Sequence, residues 1–148
     1  MKATKILRVV TLLGVALIAF PAAAQEGMPE VMTMDGVSYT SGGVGEMERS
    51  AMMQHAREYN LRLTFAARSG EYLAGVKVSI QNAKGHKVVE AVADGPWFYA
   101  KLAPGKYKVT AEADGQTRTR TLTVGKSKAA VAGMVWASPD ELTTEGGA

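Results

Sequence analysis

Between residues 60 and 137 the chain alternates between apolar and polar positions in short runs separated by turn residues. In residues 106–113, Tyr107, Val109 and Ala111 share one parity, and polar side chains occupy the other. A period of two predicts an antiparallel strand that is buried on one face. Seven runs of this kind predict an all-β fold, a seven-stranded antiparallel β-sandwich. They lie at residues 61–65, 76–81, 86–93, 97–102, 106–113, 116–124 and 129–137.

One of these strands, residues 116–124, does not divide cleanly into an apolar and a polar face. Four threonines share one parity, while Arg118 and Arg120 share the other with Leu122 and Val124. Unpaired arginines are not tolerated in an apolar core. Either only the second half of the strand packs inward, or a bulge reverses its parity near Arg120. Both arrangements are typical of an edge strand.

An amphipathic helix is predicted before the sandwich, at residues 44–59. Its apolar face on a helical wheel consists of Val44, Met47, Ala51, Met52, His55 and Tyr59. Residues 25–43 are predicted to form a flexible N-terminal arm, in which residues 37–40 are either a short strand or a loop, and residues 138–148 a disordered tail. The glycine-rich residues 41–45 lack the Gly-Lys-Ser/Thr ending of a phosphate loop, so that interpretation is rejected.

The first 24 residues have the pattern of a secretory signal peptide. Three basic residues, Lys2, Lys5 and Arg8, precede an apolar run at residues 9–20, and small residues follow up to Ala24. Cleavage is predicted after Ala24, which places the mature protein in the periplasm. The apolar run is too short for a comfortable bilayer span, so no stable membrane insertion is expected after cleavage.

Removal of this segment changes the charge balance. The whole chain carries 17 basic and 14 acidic residues, a net charge of +3. Residues 25–148 carry 14 of each and are neutral overall. A nucleic-acid partner, which needs a concentrated positive field, is therefore not expected. The absence of cysteine excludes disulfides, thiol catalysis and cysteine-based metal sites.

Several motifs in the strand region resemble the carboxypeptidase regulatory-like domain, a transthyretin-like β-sandwich. They are the Gly75-Val76-x-Val78-x-Ile80 strand, Asp94-Gly95, and the Leu-x-Pro-Gly-x-Tyr-x-Val-x-Ala sequence at residues 102–111. The resemblance spans residues 60–136 and extends to a group of small exported proteobacterial proteins. It implies periplasmic residence and a non-catalytic accessory role. It also implies that Trp97, Tyr99 and Leu102 face the core, with Phe98 and Lys101 facing outward.

The candidate chemistry is sparse. The two histidines, His55 and His86, are far apart in sequence, and no nucleophile motif accompanies them, so neither an enzyme nor a cofactor is predicted. An alternative is a copper site, because thioether and imidazole groups suit Cu(I). Its candidate ligands are Met28, Met32, Met34, Met53 and His55.

The favoured function is binding of a protein partner in the periplasm or envelope, through an edge strand. Residues 116–124 would accept a strand from the partner, and Arg118 and Arg120 would select an acidic segment. Phe98 is the third candidate contact. A carbohydrate-binding module is a further alternative, because residues 97–99 are three consecutive aromatics.

Overall fold

The computed structural model describes residues 27–138, so the predicted signal peptide and all of the predicted tail except Ser138 lie outside the described residues. This part of the chain contains one α-helix, a 3-10 turn at Ala56–Glu58 and nine strands. The helix α1 spans Glu46–His55. The strands are β1 Met32–Met34, β2 Val37–Gly42, β3 Leu61–Ala67, β4 Lys77–Asn82, β5 Lys87–Val92, β6 Trp97–Lys101, β7 Gly105–Ala113, β8 Gln116–Val124 and β9 Ala130–Trp136.

The strands form two sheets that pack face to face as a β-sandwich. Sheet A has the order β1-β2-β6-β3-β9, and sheet B has the order β5-β4-β7-β8. Neighbouring strands are antiparallel, except that β3 and β9 run parallel. The predicted fold class is confirmed, and the seven predicted strands correspond to β3–β9. Residues 27–138 contain nine strands rather than the predicted seven.

The two additional strands lie where a flexible arm was predicted. Strands β1 and β2 form a hairpin, and Asp35 and Gly36 between them have φ angles of 48° and 76°. Two positive φ angles are the signature of a tight hairpin turn. Val37 and Tyr39 are buried in the sandwich core. The arm prediction was wrong from β1 onward, because apolar side chains and pairing with β6 hold this segment in sheet A, and of the two alternatives for residues 37–40 the strand is correct.

The core of the sandwich lies between the inner faces of the two sheets. In β3, β4 and β7 buried residues alternate with more exposed ones, as their sequence pattern predicts. Fully buried side chains in this core include Leu61, Phe65, Ile80, Phe98 and Val109.

The helix covers part of the outer face of sheet A. Met52 of α1 and Tyr59 just after it form a second buried cluster with Tyr99 of β6, and Trp97 packs against it. Strand β6 is therefore buried on both faces, and the inferred parity is wrong for its aromatic residues. Phe98 faces the sandwich core, while Trp97 and Tyr99 face the helix. Leu102, as expected, is in the core.

Only part of the predicted helix face makes contact. Ala51, Met52 and Tyr59 are buried, but Val44 and Met47 are 59% and 74% exposed. The apolar packing on sheet A comes from the C-terminal half of α1 and the turn that follows, so the predicted packing of Val44 and Met47 was wrong. The helix proper is also shorter than the predicted span of residues 44–59.

One open side of the sandwich is bridged by side chains. The imidazole Nε2 of His86, before β5, lies 2.9 Å from the carboxylate Oδ2 of Asp35, in the β1–β2 turn. Both residues are exposed. This contact joins the edge of sheet B to the edge of sheet A and leaves His86 in a structural ion-pair geometry.

Candidate interaction site

The opposite open side lies between β8, the edge strand of sheet B, and β9, the edge strand of sheet A. The two strands contact each other through side chains and do not share a backbone ladder. The indole Nε1 of Trp136 on β9 donates a 2.9 Å hydrogen bond to the carbonyl oxygen of Gln116 on β8. We refer to this side, defined by β8 and β9, as the β8–β9 seam.

Two arginines of β8 reach across the seam. The Nε of Arg118 donates to the carbonyl oxygen of Val135 at 3.0 Å, and Nη1 of Arg120 donates to the carbonyl oxygen of Gly133 at 3.1 Å. Pairing of β7 with β8 runs without a register shift, so no bulge reverses the parity. The first of the two predicted arrangements is correct, because Leu122 packs against the core and Val124 is buried.

These hydrogen bonds leave much of each guanidinium group available. A guanidinium carries five N–H donors in a planar fork, and the described contacts use one donor from Arg118 and one from Arg120. Both acceptors are backbone carbonyl groups of β9 that point away from β3, toward β8. The arginines therefore cap the edge of sheet A and retain donors for an additional acceptor.

The outer edge of β8 is lined by threonines. The turn between β7 and β8 is a two-residue hairpin at Asp114 and Gly115, whose φ angles are 49° and 73°. In such a hairpin the residues beside the turn form a hydrogen-bonded pair, and such pairs alternate along the strands. Consequently the backbone groups that point to the free edge belong to the alternate residues Thr117, Thr119, Thr121 and Thr123, all of them exposed.

Phe98, the third predicted contact residue, is not at this site. Its side chain is fully buried, and its ring stacks on Tyr39 with centroids 5.7 Å apart. It cannot contact a partner on the surface, so this assignment was wrong. The three consecutive aromatics also do not form one platform, because Trp97 and Tyr99 lie on the other face of the sheet, stacked 6.4 Å apart.

The five candidate copper ligands are not brought together. Met28 packs on the helix side of sheet A, whereas Met34 packs on the sandwich core. The Met32 sulfur accepts a hydrogen bond from the hydroxyl of Tyr39 at 3.7 Å. On the helix, Met53 is exposed and His55 Nδ1 lies 2.6 Å from Glu58 Oε1. Within residues 27–138, no three His, Cys, Asp or Glu side chains are grouped as a metal site requires.

Burial is the main cause of the raised pKa values of three tyrosines. It raises the pKa of Tyr59, with the charge of Glu58 adding to the effect. It also raises the pKa of Tyr99, against an opposing effect from Arg62, and the pKa of Tyr107. The hydroxyl of Tyr107 donates to the carbonyl oxygen of Ala103 at 2.7 Å. These environments are those of packed structural tyrosines.

A cluster of cations escaped the sequence prediction. Arg57 and Arg62 come close to Lys126 and Lys128 of the β8–β9 loop and line a common cavity. Arg62 occupies the polar parity of β3, where a solvated side chain is the ordinary expectation. The one signal in the sequence is the basic loop at residues 125–128, and nothing there indicates that it meets residues from the helix end and β3.

The fold and its seam define a class of protein: a β-sandwich domain with two adjacent edge strands and an appended helix. Residues 58–134 match the model of a family described as the Rhizobiales growth-associated tandem repeat domain. This match covers more than half of the 148 residues, from the end of the helical region through most of β9. The chain belongs to that family.

Solved structures with related folds are distant. The Bacillus anthracis TIE protein is 17% identical, with a TM-score of 0.41, and the match covers 52% of this chain and 16% of that one. BcpA, the major pilin subunit of Bacillus cereus, is 17% identical, with a TM-score of 0.40 and coverage of 52% and 27%. Chlorocatechol 1,2-dioxygenase from Pseudomonas putida is 12% identical, with a TM-score of 0.33 and coverage of 52% and 57%.

No curated protein matches the chain. The solved structures are too distant to assign an activity or a partner, and the chain spans well under a third of the first two. In the described part of the chain, no helix reaches the length and hydrophobicity that a bilayer crossing requires.

Proposed function

We propose that this protein is an exported, non-catalytic β-sandwich module that binds an extended segment of a protein partner along β8. The observation that supports this most directly is the free edge of β8, whose outward backbone groups belong to four exposed threonines. An unpaired strand edge is a template for another strand. The resemblance to the carboxypeptidase regulatory-like domain is part of the same proposal.

The length of β8 favours strand addition. The strand has nine residues, and it contains no proline that would interrupt a new ladder. Each added backbone hydrogen bond contributes about 0.5–1.5 kcal/mol net, so a full ladder supplies a substantial part of a specific affinity. The polar threonine side chains keep the edge soluble while it is unoccupied.

Arg118 and Arg120 indicate that the partner segment is acidic. In an added strand, the residues that face the arginines are two positions apart, because alternate residues share a face. Acidic residues with that spacing would accept charge-assisted hydrogen bonds from the remaining guanidinium donors. Pairing of β8 with β8 of a second copy is disfavoured, since it would bring arginines of both chains onto one face.

Site-specific photo-crosslinking tests this proposal. A photoreactive phenylalanine analogue at Thr119 is expected to crosslink an extended partner segment in the native compartment, whereas the same analogue at exposed Lys77, on the interior strand β4 of sheet B, is not. Thr119→Pro removes an outward N–H and should abolish the crosslink. Equal crosslinking from both positions, or crosslinking that survives the proline, would overturn strand addition at β8.

Export is the other part of the proposal, and it is carried by the basic and apolar pattern of residues 1–24. The mature N-terminus is expected at Gln25, and the protein is expected in the periplasmic fraction. Mass spectrometry of the purified native protein measures this directly. A mature chain that begins at Met1 and fractionates with the cytosol would contradict export, whereas strand addition is decided by the crosslinking from Thr119.

A further inference from the structure

A cavity of about 330 Å³ lies where the helical region ends, β3 begins and the β8–β9 loop crosses from sheet B to sheet A. Tyr59 and Asn60 form part of its wall. The Asn60 side chain is fixed there, since it donates to the carbonyl oxygen of Leu102 at 2.6 Å and accepts from the Leu102 N–H at 2.8 Å. The cavity is thus framed by a rigid junction of the fold and by one loop.

All of the charged residues that line this cavity are positive. Four of its nine lining residues are cationic and none is acidic: Arg57, Arg62, Lys126 and Lys128. Among the ion pairs of residues 27–138, none involves these four side chains. The adjacent carboxylate of Glu58 is engaged by His55 at 2.6 Å. In a mature chain with equal numbers of acids and bases, this is a local concentration of uncompensated positive charge.

Arg62 carries the most specific signal. Its Nε atom is buried and has no hydrogen-bond partner. The residue lies on the outer face of sheet A, in register with Tyr99 on one side and Val131 on the other. A buried donor of a charged group without an acceptor is costly and uncommon in folded proteins. Within residues 27–138 no acceptor of the chain meets this donor, and Arg62 is one of the residues that line the cationic cavity.

We propose that this cavity binds a phosphate ester, with the Arg62 and Arg57 guanidinium groups and the two loop lysines as the positive groups that hold its phosphoryl oxygens. Guanidinium donors match the geometry of phosphoryl oxygens, and lysines supply compact positive charge. Ser127 contributes a hydroxyl to the same wall. The volume is at the lower end of ligand cavities, which suits a small phosphorylated molecule or a single headgroup.

This site is separate from the proposed partner edge. Its cationic residues come from the helix end, β3 and the loop at residues 125–129, and it uses none of the outward threonines or the arginines of β8. Loss of phosphate binding would therefore leave strand addition intact, and the converse also holds.

Calorimetric titration of the mature protein with glucose 6-phosphate tests the site, with glucose as the neutral counterpart. Binding of the ester alone is expected, and it should weaken as salt concentration rises. Lys126→Ala/Lys128→Ala is expected to weaken it at least about tenfold, because two charged hydrogen-bond donors are lost. Lys106→Ala/Lys108→Ala removes the same charge from exposed positions of β7 and should leave binding unchanged.

Arg62→Met tests the residue with the buried Nε. This substitution should weaken binding of glucose 6-phosphate at least as much as the double lysine variant does. Far-ultraviolet circular dichroism of the variant shows whether it folds. If it does not fold, the loop variant still decides, because Lys126 and Lys128 are exposed. Equal weakening in the Lys106/Lys108 control would mean nonspecific attraction and would overturn the proposal.

The source of the phosphate ester is resolved by a second measurement. Co-sedimentation with phosphatidylcholine vesicles, with and without phosphatidic acid, measures binding to a lipid headgroup. Retention that requires phosphatidic acid and Lys126 and Lys128 supports the site with a lipid as its source, and binding of glucose 6-phosphate alone supports it with a soluble source. Binding to neither probe would overturn the proposal.

Discussion

The position of Phe98 gives a decisive prediction for the fold. Its side chain is fully buried between the sheets and stacks on Tyr39. The parity inferred from the family resemblance would instead place it on the surface. Phe98→Ala therefore separates the two arrangements by the stability that it removes, because a surface substitution changes the free energy of unfolding by no more than about 0.5 kcal/mol.

The expected loss follows from burial and from the cavity that remains. Truncation of a buried phenylalanine to alanine costs about 3–5 kcal/mol, including the void left by incomplete relaxation. The stacked pair at 5.7 Å adds to the packing that is lost, since such pairs contribute about 0.5–1.5 kcal/mol beyond area burial. A domain with about 5–15 kcal/mol of stability is left marginal by this change.

Guanidinium denaturation followed by tryptophan fluorescence measures the effect, because Trp136 is buried in the same core. Phe98→Leu is a milder companion that keeps most of the apolar volume and should lose less. Val92→Ala, at an edge residue that is 58% exposed, is the control and should lie within about 0.5 kcal/mol of the wild type. A loss below about 1 kcal/mol for Phe98→Ala would refute the burial of this ring.

Three further predictions concern single contacts and pH. Gly95→Ala would place a Cβ closer to the Gly42 backbone than van der Waals contact allows, so the free energy of unfolding should fall by about 2 kcal/mol or more in thermal or chemical denaturation. Gly133→Ala is its control, because the space around Gly133 is open and this substitution should be nearly neutral. Tyr107→Phe removes the hydrogen bond to Ala103 and should cost about 1 kcal/mol, and an unchanged denaturation midpoint would contradict its role. Burial raises the pKa of three tyrosines, Tyr59, Tyr99 and Tyr107. As pH rises through their ordinary pKa of about 10, the unfolded chain releases these protons first, so the stability present below that pH should fall, and an increase would contradict the shifts.

The strands that could be predicted are those whose two faces meet different surroundings. Strands β3, β4 and β7 have one face in the core and a more exposed one, so alternation located them. For β8 the pattern also indicated an edge strand, and the structure places it at the edge of sheet B. In β8 the two arginines occupy alternate positions whose side chains face inward, and their polarity indicated that this half of the strand lies beyond the core.

The wrong parity of β6 has a physical cause, which is the packing of the helix on the outside of sheet A. Because β6 is covered on both faces, Trp97, Phe98 and Tyr99 are all apolar, and alternation cannot say which face is the core. The β1–β2 hairpin was not predicted as a whole, because its strands are short and β2 is held in place by pairing with β6. The cationic cavity was missed for a related reason, since its residues meet only through the tertiary fold.

The roles of Arg118 and Arg120 can be separated by what their hydrogen bonds satisfy. By donating to the carbonyl oxygens of Val135 and Gly133, they occupy acceptors on β9 that another strand would otherwise use. Protection from edge-to-edge association therefore applies to β9, whose Val131 and Val135 side chains are exposed. The edge of β8 receives no such cover, because its outward backbone groups belong to the threonines and not to the arginines. The same two side chains thus close one edge of the seam and leave the other open, and under the proposed strand addition this asymmetry would direct a partner strand to β8.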